Sequence, residues 1–304
     1  MNDVTIRTTL QRAIAQLDAA HVDAPRTTAR VLLAQALGQP KDWLIAHDDL
    51  IPNAPQLEVF NNLLQRVIAH EPMAYVLGHR EFYGLDFYVD RRVLIPRPET
   101  EMLVELALQE LQMTSDEWRM NEHELSAFVV RHSPFDLVDI GTGSGAVPVA
   151  IASQLPQARI MASDVSADAL AVAKMNAERN NVAQHITFVQ SDLLSAIDEL
   201  PRVLTANLPY VTTEEIEGLQ PEIQDHEPRG ALDGGADGLD LIRKLLTQIA
   251  QRVADGQPMQ AAFLEFGASQ GTAVLKLAQD ILPFAQSKIK QDLAKLDRVL
   301  CIYL

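Results

Sequence analysis

The sequence is short of cysteine, of basic residues and of aromatic side chains, and it holds no long apolar run. Its only cysteine among 304 residues is Cys301, so no disulfide can form within one chain and a reducing compartment fits. That residue lies in Arg298-Val299-Leu300-Cys301-Ile302-Tyr303-Leu304, where nothing nearby would activate a thiol, and it reads as a core residue of a terminal strand. No stretch is apolar for long enough to cross a bilayer, and the amino terminus, with Asp3 and Arg7, has no apolar signal core. A soluble cytoplasmic protein with no membrane partner is expected. Only 25 Lys and Arg stand against 41 Asp and Glu, a net charge of −16. Such a field repels polyphosphate and, with no basic aromatic-rich segment to stack bases, argues against autonomous nucleic-acid binding. Trp43 and Trp118 read as packing groups. The eight histidines are scattered, with no pair at metal-ligand spacing, so no metal site is expected.

The length exceeds that of one usual core, which predicts one large and one small domain. Apolar residues recur at helical spacing from Val4 to about Ala69, as in Leu10, Ile14 and Leu17 or Val59, Leu63 and Val67. Pro25, Pro40, Pro52 and Pro55 punctuate this stretch into roughly three to five short helices. The run Arg80-Glu81-Phe82-Tyr83-Gly84-Leu85-Asp86-Phe87-Tyr88-Val89 then reads as a hairpin. Thr100 is placed to cap a helix through Met102, Leu103 and Leu106. Residues 114–134 are polar and read as a surface insertion anchored by Phe128-Val129-Val130. From Phe135 onward strand-like and helical runs alternate, which calls for an α/β fold with a doubly wound, mostly parallel sheet.

Val138-Asp139-Ile140-Gly141-Thr142-Gly143-Ser144-Gly145 is a strand that turns into a helix through small residues. Such a turn lets backbone approach a ligand closely, whether a dinucleotide, another cofactor or a neighbouring helix. The G-x-G-x-G spacing differs from the dinucleotide G-x-G-x-x-G. Acidic residues also end three successive strands: Asp139 within reach of a cationic amine, Asp164 for two ribose hydroxyls, and Asp192 for an adenine amine, with Leu193 to cover the ring. Taken jointly these favour S-adenosylmethionine as methyl donor, with S-adenosylhomocysteine as its product.

Asn207-Leu208-Pro209-Tyr210 follows the apolar run Val203-Leu204. An amide nitrogen is a poor nucleophile because its lone pair is delocalised. The Asn207 side-chain oxygen and the Leu208 carbonyl can each accept one N–H of a planar NH2 group, turning the nitrogen toward the methyl. Those acceptors bind more strongly as nitrogen becomes positive. Tyr210 offers a ring face. The same tetrad is also ordinary turn chemistry, and only the donor signature upstream favours catalysis.

With these residues in place, the whole chain resembles the glutamine methyltransferases that modify class-1 peptide chain release factors. The motifs that carry the resemblance are Gly78-His79-Arg80-Glu81-Phe82-Tyr83-Gly84, Leu94-Ile95-Pro96-Arg97-Pro98-Glu99-Thr100-Glu101, the glycine loop, the tetrad and Glu227-Pro228-Arg229-Gly230-Ala231-Leu232. The resemblance implies a seven-stranded class I methyltransferase sheet, with residues 1–78 as a helical substrate-recognition domain, 79–96 as a β-hairpin linker and 97–304 as the methyltransferase domain. It implies a monomer whose head grips a release factor while the Gly-Gly-Gln loop enters the tetrad. Asp139, Gly141 to Gly145, Asp164, Asp192, Leu193 and Asn207 would surround the donor, and Asn207 to Tyr210 the glutamine. Two positions depart from the family: Leu208 stands where it usually has proline, and Leu193 where it often has an aromatic residue. A glutamine of a large-subunit ribosomal protein, a nucleic-acid amine, and a non-catalytic donor-binding role remain alternatives.

Overall fold

The computed structural model describes residues 4–112 and 134–304, so nearly all of the polar insertion, including Trp118 and Phe128-Val129-Val130, lies outside the described residues. Two compact units emerge, one of Met1–His79 with Gln220–His226 and one of Arg80–Leu219 with Glu227–Leu304.

The smaller unit is built from helices α1 (Ile6–Ala19), α2 (Pro25–Leu37), α3 (Lys41–Ala46), α4 (Ala54–Ile68) and α5 (Met73–Leu77). Local chemistry sets their ends. The Thr5 hydroxyl accepts the Thr8 N–H at the start of α1, Pro25 begins α2 at a position that needs no donor, and Asn53 with Gln56 forms a reciprocal capping box on α4. Leu17, Leu32, Leu33, Leu44 and Phe60 fill the core. Trp43 stacks on His47 with ring centroids 4.0 Å apart, a packing role. The segment Gln220–His226 belongs to this unit, and His70 Nδ1 lies 2.8 Å from Glu222 Oε1.

Strands β1 (His79–Phe82) and β2 (Leu85–Tyr88) form the hairpin. Its two-residue turn places Tyr83 and Gly84 at φ 53° and 74°, the positive values a tight hairpin turn demands. The large sheet contains β3 (Leu137–Ile140), β4 (Ile160–Asp164), β5 (Ile186–Gln190), β6 (Val203–Asn207), β7 (Ala261–Glu265), β8 (Gln286–Gln291) and β9 (Asp297–Tyr303). Their spatial order is β5-β4-β3-β6-β7-β9-β8, parallel except for β9 against both neighbours.

Helices α6 (Glu101–Gln112), α7 (Ala146–Gln154) and α8 (Ala167–Arg179) precede or follow the early strands. The short α9 (Thr213–Ile216) and α10 (Pro221–Gln224) come after β6, followed by α11 (Asp240–Ala254) and α12 (Gly271–Ile281). One sheet face is buried with Leu103, Val104 and Ala107 of α6 and Val149 to Ala152 of α7. The other is buried with Ile242, Leu245 and Ile249 of α11 and Val274 and Ala278 of α12. Cys301 is fully buried in β9, and burial pushes its thiol up to about 11, which suits a core residue. Among the described residues no helix is long and apolar enough to cross a membrane, and no cluster of side chains could hold a metal ion.

Thr100 differs from expectation. It closes a 3-10 turn, Pro98–Thr100, that runs directly into α6. A hydroxyl inside continuous helical backbone has no helix start to cap, and it is used elsewhere.

Candidate active site

The chain runs outward from β3 through β4 to β5 and then returns to β6 on the other side of β3. Open α/β sheets bind ligands at such a reversal, outside the carboxyl ends of the strands. A cavity of about 590 Å3 opens there, lined among others by Gly141, Thr142, Gly143, Asp164, Asn207 and Pro209. Strand alternation sends Val138, Ile140, Leu204 and Ala206 to the α11 and α12 face. By the same period of two, Asp139, Thr205, Asn207 and Glu265 lie on the opposite face, toward α6.

Gly141 has φ +69°, and a Cβ there would stand 3.1 Å from Leu208 Cδ2. Only glycine lets the chain turn at that point without displacing Leu208. Gly145 does a different job, since a Cβ there would meet Ala173 of α8 at 3.0 Å. It permits close helix packing and, unlike Gly141, Thr142, Gly143 and Ser144, does not line the cavity.

Asp164 accepts the Gly143 N–H on Oδ2 and the Ser166 N–H on Oδ1, each at 2.9 Å. Each carboxylate oxygen keeps acceptor capacity for another donor, such as a ribose hydroxyl. Burial pushes this carboxyl above the usual range, opposed by those backbone N–H groups. Asp139 is buried, with Oδ1 accepting from the Thr205 hydroxyl at 2.7 Å. Burial pushes it up to about 7, against the stabilising hydroxyls of Thr205 and Thr142 and with the charge of Asp164 adding to the rise. The Thr142 hydroxyl is itself buried and has no hydrogen bond of normal geometry. Spare acceptors at Asp164 and a buried carboxyl at Asp139 fit a ligand with vicinal hydroxyls and a cationic amine.

Leu193 has φ 52° although it is buried and bulky, a conformation that costs on the order of 1–2 kcal/mol. Ser191 holds it, donating to the Leu193 carbonyl at 2.7 Å and accepting from Ala196 N at 3.0 Å. Asp192 Oδ2 accepts from Lys244 Nζ at 2.5 Å. Lys244 also lines the cavity and was not singled out in the sequence, because it lies on α11, 52 residues away.

Asn207 donates Nδ2–H to Thr100 Oγ1 at 3.0 Å. Its Oδ1 has no partner among the described residues, so the amide stands at the cavity wall with an open acceptor. Leu208 turns its buried side chain into the cluster with Leu193, Leu239 and Phe266, while its position still lines the cavity with Pro209. Tyr210 departs from the expected ring platform. It does not line the cavity: its ring lies over Gly267, whose Cβ would stand 3.3 Å from Cδ2. The reason is local. Gln270 Nε2 donates to the Tyr210 carbonyl at 2.9 Å, and Gln270 Oε1 accepts from Gly267 N at 2.9 Å, drawing the residue toward the end of β7. Burial, with the nearby charge of Glu265, pushes the Tyr210 hydroxyl up to about 12.

Arg97, quoted above within a motif, and Arg92 also line the cavity wall. Arg97 donates Nη2–H to Glu227 Oε1 at 2.6 Å, and Ile95 N donates to Glu227 Oε2 at 3.3 Å. Arg92 is clamped through Nε and Nη2 by Asp90, which also accepts from the Tyr88 hydroxyl at 2.8 Å.

This geometry agrees with the comparisons. Residues 8–78 match the family described as PrmC N-terminal domain, and residues 125–218 match the methyltransferase small domain. A release factor glutamine methyltransferase of Moorella thermoacetica is 36% identical over 99% of both chains. Another, of Nitratidesulfovibrio vulgaris, is 35% identical over 97% of this chain and 93% of its own. The solved hMettl16 catalytic domain, in complex with a MAT2A 3'UTR hairpin, superposes with a TM-score of 0.51 at 15% identity, covering 73% of this chain and 76% of that one. That likeness is one of fold. Identity at the level of the two methyltransferases, over nearly the whole length, carries more: the chain belongs to the release factor glutamine methyltransferase family.

Proposed function

We infer that this protein transfers a methyl group from S-adenosylmethionine to the side-chain amide nitrogen of the glutamine in the Gly-Gly-Gln loop of class-1 release factors. One observation carries the reading: the Asn207 amide commits its N–H to Thr100 and leaves Oδ1 open at a cavity whose other wall is the glycine loop. An open acceptor suits a ligand that brings N–H groups. Full-length identity to relatives named for release factor glutamine supports the same acceptor.

Asp164 would hold the donor's ribose hydroxyls, Asp139 its amine, and Asp192 with Leu193 the adenine. The glycine loop would lie along the donor backbone. When bound, the donor supplies an electrophilic methyl on a sulfonium. Asn207 Oδ1 and the Leu208 carbonyl would then accept the two N–H groups of the glutamine amide, aiming its lone pair at the methyl and binding more strongly as nitrogen becomes positive. Pro209 narrows the wall, and Tyr210 acts from behind it. Because the partner is a translation factor, the compartment is the cytoplasm. One chain supplies both walls of the cavity, so a monomer suffices.

The test is methyl transfer from labelled donor into purified release factor, ribosomal protein and nucleic acid. Label in the release factor supports the reading. Label confined to either other acceptor refutes it.

A further inference from the structure

Glu265 is the least explained group near the site. It ends β7 directly opposite Asn207 in the parallel register, is 1% exposed, and neither carboxylate oxygen has a hydrogen bond of normal geometry. A buried carboxylate whose hydrogen bonds are not well formed is costly and calls for a reason. The groups that face it are the Thr100 and Tyr210 hydroxyls, with Arg298 of β9 and Glu99 of the 3-10 turn at longer range.

An amide can be turned by 180° at little steric cost, so something must decide which end of Asn207 meets the substrate. Thr100 cannot decide alone, because a hydroxyl both donates and accepts. With its proton aimed at Asn207 Oδ1 it would turn the NH2 end into the cavity. A substrate NH2 would then meet donors instead of an acceptor.

We propose that Glu265 is a positioning residue that sets the polarity of the acceptor site: its carboxylate accepts a hydrogen bond from the Thr100 hydroxyl, Thr100 therefore accepts from Asn207 Nδ2, and Asn207 Oδ1 is left facing the substrate amide. The chain is acceptor-only at its buried end, so every link has one direction. Thr100 is itself buried and lines the cavity, and its observed bond to Asn207 has the required sense. The chain also ends on a negative charge, which favours positive charge developing on the substrate nitrogen. Protonated Glu265 becomes a donor, and the chain can then run backward.

Burial pushes the Glu265 carboxyl up to about 7, with Thr100, Arg298 and Tyr210 favouring the ionised form and Glu99 opposing it. The switch therefore falls within a measurable range: the site is correctly polarised above that value and loses polarity below it.

This inference rests on the amide-methylating reading, and the experiment separates the two. Single-turnover rates at saturating donor would be measured from about pH 5.5 to about pH 8.5 on whichever acceptor the wild type methylates, a range that brackets an ordinary shifted carboxyl. Donor-product affinity would be followed by calorimetry. The wild-type rate should rise through about pH 7 and level off. Glu265→Gln, which offers an NH2 donor to Thr100, should lose about a hundredfold in kcat, show no such rise, and keep its affinity for S-adenosylhomocysteine. Thr100→Ser should behave as wild type and Thr100→Val as Glu265→Gln. A Glu265→Gln enzyme with wild-type kcat and pH profile would overturn the inference, as would Thr100→Val with full activity. Neither result would touch the assignment of the acceptor, which the identity of the labelled molecule decides.

Discussion

Arg97 and Glu227 are 130 residues apart in the chain and meet at 2.6 Å, joining the Ile-Pro-Arg-Pro segment to the Glu-Pro-Arg segment beside the cavity. The pair is unequal, with the Arg97 side chain 30% exposed and that of Glu227 1% exposed. Burial raises the Glu227 carboxyl and Arg97 opposes the rise. Arg97→Ala strands a buried carboxyl, and losing one partner of a buried pair costs about 3–5 kcal/mol. Glu227→Ala leaves a cation that can reach water and should cost less. Without Arg97 the folded carboxyl holds its proton more tightly, so the stability of Arg97→Ala should fall as pH rises. Urea unfolding of both variants at two pH values checks the order and the sign.

Asp164→Ala should weaken donor binding twice over. It removes acceptors for ribose hydroxyls, and it frees the Gly143 and Ser166 N–H groups that shape the loop. Charge-assisted hydrogen bonds are worth roughly 1.5–3 kcal/mol each. Calorimetry with S-adenosylhomocysteine measures the loss, and unchanged affinity would mean that the ribose lies elsewhere.

Leu208→Pro tests the family departure. The carbonyl of residue 208 is present with either side chain, so turnover should be kept. Leu208 is buried against the glycine loop, however, and trimming it to the proline ring should cost about 1–2 kcal/mol through lost packing. Thermal melts should fall while single-turnover rates at saturating donor hold.

The protein's stability should depend on pH in a stated direction. Asp139 and Glu265 are both pushed up to about 7 by burial. A carboxyl whose folded pKa exceeds its unfolded value binds protons more tightly when folded, so its contribution is full at low pH and is lost as pH rises through the folded value. Between about pH 4 and about pH 7 these two groups should make the donor-free protein less stable. Asp139→Asn should remove part of that slope. Donor affinity should run the other way, rising through about pH 7 as Asp139 ionises to meet the amine.

Much of this was legible in the sequence because the signals were periodic or local. The head's apolar spacing, the Tyr83-Gly84 turn and the strand-helix alternation from Phe135 all depend on near neighbours, and the structure has them. Gly141 to Ser144 and Asn207, read from equally local motifs, line the cavity. Glu265 was not legible, because Phe263-Leu264-Glu265-Phe266 reads as a core strand and its register with Asn207 exists only once β6 and β7 pair. Lys244 was hidden likewise by sequence distance, as was the pairing of Glu227 with Arg97. Thr100 and Tyr210 were noticed, but position within a motif does not say whether helical backbone runs unbroken through a hydroxyl, nor which way a ring turns.

The most direct measurement is peptide mass mapping of a class-1 release factor after reaction with wild-type protein and with Asn207→Ala. The account predicts one methyl on the glutamine of the Gly-Gly-Gln loop with the wild type, and a rate lower by about a hundredfold or more when the Asn207 acceptor is removed. A methyl at any other residue, or an Asn207→Ala enzyme as fast as its parent, would contradict it.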